Sequence, residues 1–325
     1  MRTKKTIKVL IIGLLLVFVS IAGAYAKQGS FPQKDITFVL PVTPGGGFDT
    51  TVRMLVPYMQ RYLPNRVNII VRNMPGGDWK IGIEHMYRSK PDGYTIGILN
   101  MPGNVTHMIT GRARYDLNKI TWYGCPAEIT YVTALSPKSK FRTLADLKKA
   151  QKVIAGTVGM SSTAALGSVL AAEAMGIKMD FIPHDGSIPA ILACIRGDVD
   201  WVQYPYGTVQ KYLKSGDLLP LCVYAKKRLA RLPNVPTIVE LGYEELLATV
   251  TMYRPIGGPP GIPKDVAKIL IEAIQKSAQD PKFVAAMEKA AMEPTYYGAE
   301  ETAKRVADSV KKFSQYKDVL LKYLK

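Results

Sequence analysis

The sequence predicts a bilobed α/β fold, two α/β domains joined by two crossings of the chain. Three observations carry that expectation. Strand-like and helix-like segments alternate with single helices between strands, which implies βαβ units and parallel pairing. The alternation runs twice, before and after an extended stretch at 130–136, and a second extended stretch at 248–255 leads into a helical tail. An export signal of 26 residues leaves 325 minus 26, or 299 residues, enough for two domains of about 100–200 residues each. The expected division is a signal peptide at 1–26, a discontinuous first domain of 27–130 plus 251–325, and a second domain of 131–250.

The export signal rests on Arg2, Lys4, Lys5 and Lys8 ahead of the apolar run VLIIGLLLVFVSIAGA and the small-residue site Ala24-Tyr25-Ala26. A retained anchor is the alternative, since a run near ~17 residues approaches the lower limit for a span. The Ala-x-Ala ending favours cleavage.

In the first run, DITFVLPV reads as a strand, DTTVRMLVPYMQRYL as a helix with apolar residues at helical spacing, VNIIVRN as a strand, GIEHMYRSK as a helix and YTIGILN as a strand. Residues 130–136 form the first crossing strand. RTLADLKKA then opens a helix, with Thr143 as N-cap and Asp146 three positions on. The second run follows as KVIAGTV, STAALGSVLAAEAMG, KMDFIPH, IPAILACIRG, VDWVQY, GTVQKYLKSG and LLPLCVYA. Thr237 and Glu240 have capping-box spacing, which predicts another helix start. After the turn-rich PIGGPPGIP the remainder reads as helical. Asp280-Pro281 starts one helix, Phe283, Met287, Ala290 and Ala291 line its face, and Val306, Val310, Phe313, Leu320, Leu321 and Leu324 give the last helix its stripe.

The net charge is +17, and removing the four basic residues of the signal leaves +13. The basic clusters, Lys148-Lys149, Lys226-Lys227-Arg228 and Lys311-Lys312, are scattered over solvated faces, and export argues against nucleic acid as a partner. Such a field aids solubility and steers anions. Cys125, Cys194 and Cys222 lie far apart and give no disulfide framework and no metal-ligand spacing, although an oxidising compartment would allow one pair to be bridged, and no metal or cofactor is expected.

The stretch VLPVTPGGGFDTTVR places three glycines between a strand and a helix. A phosphate loop needs lysine and a hydroxyl residue after its last glycine, and here Phe48 and Asp49 stand there. The dinucleotide fingerprint fails at Thr50, where its third glycine belongs. What remains is close backbone approach at Thr43, Pro44, Gly45, Gly46 and Gly47, and a helix N-terminus near Asp49 that suits an anion such as a carboxylate. Asp49 also reads as a plain N-cap. AGTVGMSSTAALG repeats the device, with Gly156, Thr157, Ser161, Ser162 and Thr163 at a helix start, although Ser162 or Thr163 is by itself an ordinary cap. Two such helix ends would face each other across a cleft.

FPQKDITFVLPVTPGGGFDTTVR, VRNMPGGDWKIG, KPDGYTIGIL, GTVGMSST, IPHDG, LPNVPTIVELG and GIPKDVAKIL stand in an order and spacing that resembles the substrate-binding receptors of tripartite tricarboxylate transporters, the TctC or Bug family. The resemblance covers essentially the whole mature chain. It implies a bilobed, type II periplasmic-binding-protein-like fold that captures a small carboxylate by domain closure and delivers it to membrane permease subunits. It also implies that the anion is held by the loops at Thr43 to Asp49 and Gly156 to Thr163. A monomer in the periplasm is expected.

Departures from the family pattern bear on the ligand. Asp78, Trp79 and Lys80 stand where small residues and asparagine are usual, Ser161 replaces a usual glycine, and Ala165 a usual histidine. His184 and Asp185 precede Gly186, and Tyr204, with Tyr206 close by, stands where an acid is frequent. Phe48, Trp79, Tyr204 and Tyr206 suit an aromatic pocket wall, and Lys80 and His184 suit a second carboxylate. These features weight an aromatic or largely apolar carboxylate against a di- or tricarboxylate, while Tyr204 and Trp79 are equally at home in packing. A sensing output through a membrane kinase is an alternative for the same binding act. Catalysis is disfavoured: His85 reads as surface, His107 lies by a turn, no His-x-x-x-His spacing exists, and Ser162 with His184 lacks a nucleophile elbow.

Overall fold

Two mixed sheets organise the chain, each flanked by helices. The computed structural model describes residues 31–159, 162–290 and 292–323, so the proposed signal peptide, Ser161, Ala291 and Leu324 lie outside the described residues. In chain order the elements are β1 (Ile36–Leu40), α1 (Gly47–Tyr62), β2 (Ile69–Asn73), α2 (Lys80–Tyr87), β3 (Thr95–Ile98), α3 (Val105–Ile109), β4 (Thr121–Ile129), β5 (Tyr131–Leu135) and α4 (Leu144–Lys149). They continue with β6 (Val153–Thr157), α5 (Thr163–Met175), β7 (Met179–Pro183), α6 (Ser187–Arg196), β8 (Trp201–Pro205), α7 (Tyr206–Ser215) and β9 (Leu219–Val223). The last are α8 (Leu247–Val250), β10 (Met252–Tyr253), β11 (Ile256–Gly258), α9 (Lys264–Ala278), α10 (Pro281–Lys289), β12 (Pro294–Tyr297), α11 (Ala299–Ser314) and α12 (Lys317–Tyr323).

The first sheet has seven strands in the order β10-β4-β11-β3-β1-β2, with β12 also on β4. The second has five, in the order β7-β6-β8-β5-β9. β1 pairs in parallel with β2 and β3, and β6 with β7 and β8, as the βαβ reading requires. The remaining pairs are antiparallel, so neither sheet is purely parallel. Ile36, Phe38 and Leu40 on one face of β1 and Val39 on the other are all buried, as befits a strand covered on both sides.

Helix α5 is buried almost all round, which its run of alanine, leucine and valine permits. Gly167 is required there, because a side chain would strike Val250 and Gln203. Thr143 and Asp146 form the reciprocal capping box at α4, and Asp280 caps α10 with Pro281 in its first position. The chain passes between sheets at Thr130, the single residue between β4 and β5, and again at Thr251, between α8 and β10. Residues 131–135, read as part of a crossing, form a strand inside the second sheet. Across the sheets, Tyr323 of α12 packs its ring 5.1 Å from Phe181 and donates its hydroxyl to Glu173 of α5 at 3.4 Å.

Several expectations change. The tail contains the strand β12, antiparallel to β4, where helix was expected. The last helix is two, α11 and α12, separated by Gln315 and Tyr316. Strand β4 escaped the reading because Gly124, at φ 144°, and Pro126 interrupt it. Thr237 and Glu240 do exchange capping hydrogen bonds at 2.7 and 3.0 Å, but they close a turn instead of opening an α-helix.

Candidate functional site

The glycine loop is tied down by Asp49. Helix α1 begins at Gly47 with Gly46 as its N-cap, and no side chain caps it. Asp49 is therefore the third helical residue and not the cap. Its Oδ2 accepts from the Gly45 amide at 3.0 Å and from Arg53 Nε at 2.9 Å, and its Oδ1 accepts from Asn73 Nδ2 at 3.0 Å. Burial pushes its pKa upward, but the hydrogen bonds from Arg53, the Gly45 amide and Asn73 outweigh it and hold the acid below its ordinary value. The carboxylate thus shapes a loop whose own Thr43, Pro44, Gly45, Gly46 and Gly47 stay exposed. The helix start is left open to an external acceptor.

Arg254 lies behind this helix start. It is only 4% exposed. Its Nη1 donates to the Gly47 carbonyl at 2.9 Å and to Thr51 Oγ1, while Nε has no partner among the described residues. The guanidinium sits 4.6 Å over the Phe48 ring, and Phe48 meets Trp79 edge to face at 4.7 Å. Among the described residues no carboxylate pairs with Arg254. Burial pushes its pKa down to about 10, so the charge persists at neutral pH at a cost. A buried cation with no carboxylate within 4.0 Å among the described residues is one whose desolvation an added anion would offset.

A cavity of about 90 Å³ opens against Arg254, walled by Gly47 on one side and by Pro205, Gly207 and Thr208 at the start of α7 on the other. Met292 and Glu293 line it and also line an outer hollow of about 570 Å³ with Tyr206, Leu229 and Arg231. The two sheets therefore contribute opposing helix starts, α1 and α7, to one cavity.

The remaining sequence-predicted residues fall in two groups, one at the start of α2 and one on the second sheet. Asp78 and Trp79 hold left-handed backbone angles, φ 54° and 78°, and Gly159 presses on Asp78 so closely that an added Cβ would lie 2.6 Å from Oδ1. His107, set aside in the sequence, is buried with Nε2 at 2.7 Å from the Asp78 carbonyl. Burial chiefly lowers its pKa, against the Asp78 contact. Lys80, half-buried, begins α2 and makes no ion pair among the described residues.

On the second sheet, Gly156 and Thr157 end β6, and Thr157 Oγ1 is buried without a partner among the described residues. Ser162 is the N-cap of α5, accepting from the Ala165 amide at 3.1 Å. Thr163 donates from Oγ1 to Asn100 Oδ1 at 2.7 Å, a buried bond that ties α5 to the end of β3 across the two sheets. Tyr204 is buried with its hydroxyl 3.5 Å from the Gly156 carbonyl, and it does not line the cavity. Tyr206 lines the outer hollow. His184 donates its amide to Thr157 at 2.8 Å and its Nδ1 lies 3.0 Å from the Ile182 carbonyl, while Asp185 is exposed.

Arg254, Glu293, Asn100, Gly207 and Thr208 were not singled out in the sequence. The available signal was a lone charge at Arg254 within the otherwise apolar VTMYRPIGG.

Residues 52–319 match the family described as Tripartite tricarboxylate transporter family receptor. Protein BugT of Bordetella pertussis is 26% identical over 322 residues, covering 94% of this chain and 95% of its own. The fold is similar to that of periplasmic binding protein BugD, with TM-score 0.77 and 22% identity over 89% of this chain and 98% of that one. It is also similar to MatC from Rhodopseudomonas palustris with bound malate, with TM-score 0.75 and 18% identity over 89% of this chain and 100% of that one.

Proposed function

Because the chain belongs to the tripartite tricarboxylate transporter receptor family, we propose that it captures a small organic carboxylate between its two sheets and hands it to the membrane permease of such a transporter. Its lobes are 27–130 with 251–325, and 131–250. They close over the ligand in the periplasm, after removal of residues 1–26.

The observation that carries this reading is the buried Arg254 guanidinium, without an acid, at the cavity wall. A carboxylate there would accept from Arg254 Nη2, which makes no hydrogen bond among the described residues, and from the amides of the uncapped α1 start. A charged hydrogen bond contributes about 1.5–3 kcal/mol, and a helix start about 0.3–1 kcal/mol more. Neither contribution requires a metal or a chemical step. The malate held by MatC supports the ligand class. Closure follows from differential affinity, since one lobe supplies Arg254 and the α1 start and the other the α7 start.

The test is a thermal-shift and calorimetric screen of mature protein, unfolded and refolded to remove carried ligand, against aliphatic di- and tricarboxylates, amino acids and aromatic acids. A bound carboxylate raises the unfolding temperature by mass action. Silence from folded protein across the whole panel refutes the reading.

A further inference from the structure

Glu293 stands at the junction of the inner cavity and the outer hollow, half-buried, and lines both. Its Oε2 accepts from the Thr130 amide at 2.9 Å and from Thr130 Oγ1 at 2.8 Å, so the carboxylate is held in one direction by the residue where the chain crosses between sheets. Its second oxygen receives no protein donor among the described residues, and no lysine, arginine or histidine pairs with it there. The same cavity of about 90 Å³ is walled by Arg254, which lacks an acid, and Glu293, which lacks a base. Arg231 lines the outer hollow with Glu288 and Glu293, forms no ion pair with either among the described residues, and does not line the inner cavity.

A ligand short enough to stay within this inner space has any second charge close to Glu293. A second carboxylate would meet a like charge in a partly desolvated setting, where repulsion is poorly screened. An ammonium group would complete the missing ion pair. Building on the carboxylate-receptor reading, we infer that the ligand carries an ammonium group as well as a carboxylate, and that Glu293 selects for it. The ligand class is an amino acid, its carboxylate on Arg254 and its ammonium on the free oxygen of Glu293. Thr130 donates to the other oxygen, so the contact reaches the crossing point.

The test compares ω-amino acids with dicarboxylates of matching methylene number: glycine with malonate, β-alanine with succinate, and 4-aminobutanoate with glutarate. Common α-amino acids, malate and citrate are added, and binding is measured by calorimetry. In the wild type, one or more amino acids are expected to bind at least about tenfold tighter than the matched or most similar diacid, the discrimination a paired against a repelled charge gives. Glu293→Gln keeps an oxygen for Thr130 and removes the charge, so it should lower amino-acid affinity about tenfold or more while diacid affinity holds or rises. Wild-type protein that binds malate, diacids or citrate but no amino acid overturns the inference and leaves the carboxylate-receptor reading standing. Amino-acid preference that survives Glu293→Gln in a variant of unchanged unfolding temperature also overturns it. No binding by any carboxylate refutes the underlying reading, and the inference with it.

Discussion

Arg254 stacks on Phe48, its guanidinium 4.6 Å from the ring centroid, and no acid side chain among the described residues forms an ion pair with it. The pair joins the first sheet's glycine loop to the segment that re-enters that sheet. Replacing Arg254 by Met should cost about 2–5 kcal/mol of ligand affinity, because the bound carboxylate would lose its charged donor. The ligand-free unfolding temperature should hold or rise, since apolar residues often replace buried ionic groups at no loss of stability. Calorimetry and thermal unfolding on one preparation separate the two effects. A variant that binds normally removes Arg254 from the site.

Gly47 offers a gentler perturbation. A Cβ at this position would lie 2.8 Å from Arg254 Nη2, whereas one at Gly46 would meet nothing within 4 Å. Gly47→Ala should therefore weaken binding about tenfold, or about 1.4 kcal/mol, by displacing the guanidinium. Helical alanine is favoured over glycine by about 0.5–1 kcal/mol, so stability should not fall. Gly46→Ala is the control and should bind as the wild type does. Equal affinities for the two variants would contradict the geometry.

Thr163 and Asn100 connect the sheets through one buried hydrogen bond of 2.7 Å. Thr163→Val keeps the shape and leaves Asn100 Oδ1 without that donor, a loss of about 1–3 kcal/mol borne by the arrangement in which this bond joins the sheets. Ligand affinity should drop without any change in direct contacts. Small-angle scattering of the ligand-free variant should give a larger radius of gyration than the wild type. An unchanged radius and affinity would mean that the bond does not bias closure.

Asp49 sets a pH dependence. Its folded pKa lies below the ordinary 3.8, so it contributes stability above the unfolded value and loses it as pH falls through the folded one. Asp49→Asn should lower stability by about 1 kcal/mol at neutral pH, since its partner Arg53 is half exposed and screened. The difference from wild type should be flat between about pH 5 and 8 and shrink below about pH 4, as wild-type Asp49 itself becomes protonated. Thermal unfolding across that range checks it. A difference that grows in acid would reverse the assigned direction.

Local signals were legible in the sequence and spatial ones were not. The Thr143–Asp146 box and the Asp280–Pro281 start are written within four residues, and both appear as expected. Burial of both faces made β1 readable, and all the strands expected from 153 to 223 are present. Strand β4 was hidden by Gly124 and Pro126, because its stability comes from pairing with β10, β11 and β12, all more than 120 residues away. At the cavity the gap is sharper. The meaning of Arg254 lies in which acids fail to reach it, and that of Glu293 in its bond to Thr130, 163 residues earlier. No local pattern encodes either fact.

Thr130 has a mechanical consequence. Strands β4 and β5 run nearly end to end, one gripped by the first sheet and the other by the second, with this residue alone between them. In the proposed closure, turning of one sheet against the other would fall on its two backbone torsions and on those of Thr251. Flexures this short act as levers: a few degrees at the pivot become ångströms at the far loops. Glu293 holds the amide and hydroxyl of Thr130, so a charge that draws on its carboxylate would act at the fulcrum of that proposed motion.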